Sequence, residues 1–254
     1  MILIIDDVYG SLEELERFTN AVHRWEATEI EQLPECMKLC FRVLSDITKE
    51  TAREIQMEKG WSHDQVQPHL QKVWAEFCKA LFVEAKWYNR GHTPSLQEYL
   101  TNAWISSSGT VLSVHSFFSI ASEPSEEMIN FAKKNHDLVY NISLIIRLCN
   151  DLGTSVAEQE RGDAASSIAC CMREMNVSEE AARKHVKVMI GKAWKKINGH
   201  CFTQSPMLQL CVNINTNMAR VALNLYHNRD GFGVQDRENK RQILSLLVEP
   251  FKLD

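Results

Sequence analysis

Residues 147–158 read RLCNDLGTSVAE, and three oxygen-bearing side chains, Asn150, Thr154 and Glu158, recur there at i, i+4 and i+8. At about 100° per residue they fall within roughly 80° of arc on one face of a helix. An amide, a hydroxyl and a carboxylate on one face form an all-oxygen donor set. Such a set suits Mg²⁺, a hard ion that prefers octahedral geometry and keeps several waters. Arg147 stands one turn earlier, where its guanidinium can grip a phosphate through two parallel bonds. A merely solvated polar stripe does not account for the regular alternation with Leu148, Leu152 and Val156. A second acidic group, Asp6-Asp7, closes the run MILIIDDVYG. Two adjacent carboxylates pack poorly and suit a divalent metal. The same pattern ends a strand in P-loop ATPases, but that reading needs a GxxxxGK[ST] loop, which the sequence lacks.

These groups need elements to hold them, and the elements read as helices. SLEELERFTNAVHRWE, from Ser11, has an N-cap serine, acids in the first turn and apolar residues at helical spacing. Pro34 opens a longer helix with Met37, Cys40, Leu44 and Ile47 on one stripe as far as Gly60, and Leu70, Val73, Trp74, Phe77 and Leu81 mark the next. Ser95 caps a helix interrupted by Ser106-Ser107-Ser108-Gly109, small residues that predict a break or kink. A long helix is expected from Ser125 through Glu158, a short one over about 165–175, one capped by Ser178, one carrying the stripe from Met207 to Leu225, and a last one from Asp236. Gly 10 and Pro 6 are too few for a barrel or sandwich of many short strands, so the fold class is all-α.

The 254 residues can bury a large core in one or two domains. A net charge of −5 with no basic run excludes a nucleic-acid partner bound by charge. No apolar stretch reaches the ~20 residues of a membrane span, so no membrane partner is expected. The 8 cysteines are scattered without a CxxC pair, which predicts buried reduced thiols in an intracellular compartment rather than a zinc knuckle or disulfides.

IDDVYGSLEELERFT, NDLGTSVAE and RGD together resemble the two metal motifs of class I plant terpene synthases. The likeness continues through WYNRGHTPSLQEYL, NAWISSSG, SIACCMREMNVSEEAARKHV, AWKKIN and DGFGVQDRENKRQILSLLVEPF, so it spans essentially the whole chain, and it is greatest to the monoterpene branch of angiosperm enzymes. The resemblance implies an isoprenoid synthase α-helical bundle holding three Mg²⁺, or Mn²⁺, on a prenyl diphosphate. It maps Asp6 and Asp7 to the first two aspartates of DDxxD, Asn150, Thr154 and Glu158 to the second metal motif, and Arg147 to a diphosphate-binding arginine. Metals and arginine would neutralise the departing diphosphate and leave an allylic cation in a dry pocket. Aromatic faces stabilise such a cation, and Trp104, Phe117, Phe118 and Tyr226 are placed for that role or for the core. Ser106, Ser107, Ser108 and Gly109 resemble the family's kink, whose carbonyls and hydroxyls face the substrate.

The family pattern is also broken. VYG follows Asp7 at once, as if three residues were deleted, so Gly10 stands where the third aspartate is expected. Upstream helices, an N-terminal helical domain and a plastid transit peptide have no counterpart in the sequence. The expectation is therefore a partial C-terminal metal-binding domain over residues 1–254, incomplete at its N-terminus, from a monomeric enzyme of the plastid stroma, or of the cytoplasm if no transit peptide precedes it. Its substrate is expected to be geranyl diphosphate and its product a monoterpene. The alternative is a truncated or splice-variant fragment that keeps the fold without turnover. A chain-elongating prenyltransferase should carry two aspartate-rich motifs, and the Asn/Thr/Glu set argues against it.

Overall fold

The computed structural model describes residues 10–120, 136–161, 165–200, 206–227, 241 and 244. Asp6, Asp7, the side chain of Glu158, the expected start of the long helix at Ser125 and nearly all of the helix expected from Asp236 lie outside the described residues. Nine α-helices and one short 3₁₀ turn are described: α1 Leu12–Arg24, the 3₁₀ turn Ala27–Ile30, α2 Glu35–Lys59, α3 His63–Asn89, α4 Leu96–Ser106, α5 Gly109–Ile120, α6 His136–Arg161, α7 Ser167–Met175, α8 Glu179–His200 and α9 Pro206–Leu225. No strand occurs among the described residues.

Helix starts follow side-chain chemistry. Ser11, Ser62 and Ser95 each form a capping box with the residue three places on, Glu14, Gln65 and Glu98. The Ser62 box starts α3 at His63, about two turns before the apolar stripe that begins at Leu70. Pro34 stands at the N-cap of α2, outside the first turn, with ψ 149°. Gly60 ends that helix in the left-handed region at φ 74°, which costs glycine nothing.

Two apolar clusters form the core. Leu15, Phe18, Phe41, Leu44, Phe77 and Leu81 join α1 and α2 to one part of α3. Leu70, Tyr99, Leu138, Ile142, Ile145 and Leu148 belong to the larger cluster, centred on α6. Helix α6 packs against α4, α5, α7, α8 and α9, so residues at its middle turns meet groups from most of the bundle. Cys40, Cys78, Cys149, Cys170, Cys171 and Cys211 are buried cysteines in no disulfide, and Cys36 is an exposed one. Burial pushes the thiols of Cys149 and Cys170 up to about 12. No helix among the described residues is long and apolar enough to cross a membrane.

Candidate functional site

An open cavity of about 590 Å³ lies between α4, α5, α6 and α9. Leu112, Ile146, Ile214, Met218, Val221, Ala222 and Leu225 give it an apolar wall, with Phe77 of α3 and Tyr226 beside them. Polar groups come from Arg147 and Asn150 on α6, Asn217 on α9 and Ser106, Ser107 and Ser108 at the α4–α5 break. The fold thus brings Ser106, Ser107, Ser108, Arg147, Asn150 and Tyr226 to one space.

The break is built as its composition suggests. Ser107 donates to the Trp104 carbonyl at 2.8 Å and accepts from the Gly109 N–H at 3.3 Å, so its hydroxyl competes with the helical ladder. Ser108 sits at φ 63°, a left-handed conformation that an L side chain adopts only at a cost. Gly109 and Trp104 do not line the cavity. Gly109 is buried against α6, where a Cβ would stand 2.8 Å from the Ser143 Cα, so its role is close helix approach. Trp104 packs edge-on against His136 and Tyr140, with ring centres 5.2 and 5.4 Å away. Phe117 and Phe118 are buried in the core, Phe118 edge-on to Trp61.

Asn150 faces the cavity from α6, and Thr154 is buried one turn later. The Thr154 hydroxyl donates to the Asn150 carbonyl oxygen at 2.9 Å, which spends its proton and leaves its lone pairs to accept. That state fits a metal ligand, and the donor set is oxygen throughout. Among the described residues no cluster of three His, Cys, Asp or Glu side chains is placed to hold a metal. The carboxylates expected to complete the set, Asp6, Asp7 and Glu158, lie outside the described residues.

Arg147 is held by a buried cluster that the sequence reading did not identify. Its Nε donates to the Tyr99 hydroxyl at 2.6 Å and to Asp151 Oδ1 at 3.1 Å, and its Nη2 lies 3.4 Å from Glu84 Oε2. Tyr99 lies 2.9 Å from both Asp151 oxygens and donates its proton there, while the Ser167 N–H donates to Asp151 Oδ2 at 2.9 Å. Burial opposes the Arg147 charge, but Glu84, Tyr99 and Asp151 outweigh it and hold the guanidinium proton more firmly than usual. Burial first, then the two carboxylates, push the Tyr99 hydroxyl well above its ordinary value, so it stays protonated as a donor. The i, i+4 spacing of Arg147 and Asp151 signals their pairing. Nothing local marks Glu84, which is 63 residues away.

Residues 1–196 match the description "Terpene synthase family, metal binding domain". The chain is 68% identical over 257 residues to alpha-farnesene synthase of Ricinus communis, covering 100% of this chain and 46% of that protein. It superposes on limonene synthase with 2-fluorolinalyl diphosphate at a TM-score of 0.90 and 40% identity, covering 99% of this chain and 46% of that one. Isoprene synthase from grey poplar leaves, in complex with three Mg²⁺ ions and dimethylallyl-S-thiolodiphosphate, superposes at 0.88 with 38% identity, covering 99% and 48%. The chain spans about half the length of the curated relatives it matches. A family match over most of the chain, on a helical bundle with the same architecture as these neighbours, makes this chain a member of the terpene synthase family.

Proposed function

We propose that this chain carries the ionisation site of a terpene synthase that converts farnesyl diphosphate to an acyclic, farnesene-type hydrocarbon and diphosphate. The observation that carries the reading is the cavity itself, with an apolar wall from α5 and α9 and a cation and an amide, Arg147 and Asn150, on α6. A prenyl diphosphate has the same division. The wall takes the hydrocarbon chain, whose burial contributes roughly 0.8 kcal/mol per CH₂, and the α6 groups receive the anionic end.

In the reaction the allylic C–O bond breaks and its electron pair leaves with the diphosphate. The remaining cation loses one proton to give a neutral polyene. Arg147 offers fixed positive charge to the leaving oxygens, and a charge already held in position needs little reorganisation when the bond breaks. Tyr226 presents an aromatic ring at the cavity, where a π face stabilises a cation without attacking it. Asn150 and Thr154, with Asp6, Asp7 and Glu158 as the family resemblance implies, would hold Mg²⁺. When bound, that ion supplies positive charge against the developing diphosphate.

The geranyl diphosphate expectation gives way to a C15 substrate because the 68% relative is a farnesene synthase, while limonene synthase stands at 40%. The test is to incubate the full chain with farnesyl or geranyl diphosphate and Mg²⁺ and to follow diphosphate release and volatile products. Farnesene from farnesyl diphosphate is the expected result. Faster turnover of geranyl diphosphate would restore the monoterpene reading. Release from neither substrate would favour the non-catalytic alternative.

A further inference from the structure

We propose that Glu84 is a positioning residue of this site: its carboxylate, held between the Ser106 hydroxyl and the Arg147 guanidinium, fixes the direction in which Arg147 presents its charge to the cavity. The inference rests on the reading of the cavity as a prenyl diphosphate site.

Glu84 comes from α3 and does not line the cavity. Its Oε1 accepts from Ser106 Oγ at 2.6 Å and from Asn102 Nδ2 at 3.3 Å, and its Oε2 faces Arg147 Nη2 at 3.4 Å. Asn102 is itself anchored, donating to the Ala80 carbonyl at 2.9 Å one turn before Glu84 on α3. One carboxylate therefore ties together two cavity-lining groups on different helices, the arginine of α6 and the first serine of the α4–α5 break.

The charge balance separates this role from simple neutralisation. Asp151, 1% exposed, already pairs with Arg147 from the same helix. Glu84, 13% exposed, brings a second carboxylate to one guanidinium. A buried carboxylate in excess of what neutrality needs costs free energy, offset here by the Ser106 and Asn102 bonds. What the excess charge adds is direction. Asp151 and Tyr99 hold the Nε edge and Glu84 holds Nη2, so the planar fork is gripped at two places from three helices and cannot turn toward Asp151. The same grip on Ser106 steadies the break two residues before the left-handed Ser108.

Glutamine at position 84 keeps an acceptor for Ser106, removes the hold on Nη2 and leaves the Arg147–Asp151 pair neutral, so folding should survive. The experiment is a double-mutant cycle in the full chain, reading diphosphate release from farnesyl diphosphate with Mg²⁺ for wild type, Glu84→Gln, Arg147→Lys and the double variant. The expected result is that Glu84→Gln lowers kcat at least about tenfold with KM within about threefold, and lowers it less than about twofold once Arg147 is lysine. Glu84→Asp, which keeps the charge but is one methylene shorter, should recover part of the loss. If Glu84→Gln does not fold, Ser106→Ala cuts the bridge at its other end with the Glu84–Arg147 contact still in place, and it should lower kcat while Tm falls only by the loss of one hydrogen bond. Multiplicative effects in the cycle, with Tm falling in step, would show a structural residue and overturn the proposal, as would a kinetically silent Ser106→Ala. A wild-type chain that releases no diphosphate from either prenyl substrate overturns the site reading itself, and this inference with it.

Discussion

Arg183 of α8 donates to the Ser155 hydroxyl at 2.6 Å and to the Leu152 carbonyl at 2.9 Å. It thereby grips the turn of α6 that contains Thr154, between Asn150 and Glu158. Its pair with Glu179 at 2.7 Å is partly exposed on both sides and adds little. Hydrogen bonds from a charged donor contribute about 1.5–3 kcal/mol each when buried. Arg183→Gln should therefore lower unfolding free energy in urea by about 2 kcal/mol and raise the Mg²⁺ concentration for half-maximal diphosphate release. An unchanged Mg²⁺ dependence would confine Arg183 to stability.

Asn150→Ala tests the oxygen set on α6. The substitution removes a cavity-facing carboxamide and little packing, and changes around a metal site typically cost about 10–100-fold in metal affinity or activity. A loss of that order in kcat/KM, partly recovered by excess Mg²⁺, with Tm unchanged, is expected. A lowered Tm with unaltered kinetics would make Asn150 a packing residue.

Gly109→Ala should destabilise the fold by about 1–3 kcal/mol through overpacking. The added Cβ would overlap the Ser143 hydroxyl and stand 2.8 Å from the Ser143 Cα. Because the second contact is backbone, adding Ser143→Gly should recover only part of the loss in a denaturant titration. Full recovery would show that the side chain alone sets the spacing of α5 and α6.

His115 should make stability fall on acidification. Burial holds its imidazole below the ordinary 6.5, against the bond its Nδ1 makes to the Val111 carbonyl at 2.8 Å. With the folded value depressed, the unfolded chain binds the extra proton first as pH drops below 6.5. The stability of the neutral ring is thus complete above that pH and is lost as pH falls toward the folded value. Thermal unfolding between pH 7.5 and 5 should show a steeper decline for wild type than for His115→Phe, which keeps a ring beside Trp74. Parallel curves would assign the decline to other groups.

The fold class and the helix starts after Ser11 and Ser95 were legible in the residues because their causes are local. Serine followed three places on by Glu or Gln closes a capping box at Ser11, Ser62 and Ser95, and the apolar periodicity of α2 picks out Met37, Cys40 and Leu44 as buried, although Ile47 of the same stripe is exposed. That Arg147 and Asn150 reach one space was legible for the same reason, since one helix fixes their relative angles. The Ser106–Gly109 break was legible in its composition, but not in which of its residues face the cavity.

What needed the tertiary structure is everything decided between helices. Trp104 has the chemistry of a cation-stabilising ring, yet α6 offers it His136 and Tyr140, and it packs there instead. Gly109 belongs to a motif of small polar residues, yet the close approach of Ser143 assigns it to packing. Glu84 shows the limit most plainly. In WAEFCKALFVEAKW it is one more acid on an amphipathic helix, and only the meeting of α3, α4 and α6 gives its carboxylate a serine on one side and a guanidinium on the other. Sequence determines which side chains a single helix presents together, because helical geometry is fixed at short range; which buried charge meets which depends on long-range packing, where a few ångströms decide between an ion pair and an exposed acid.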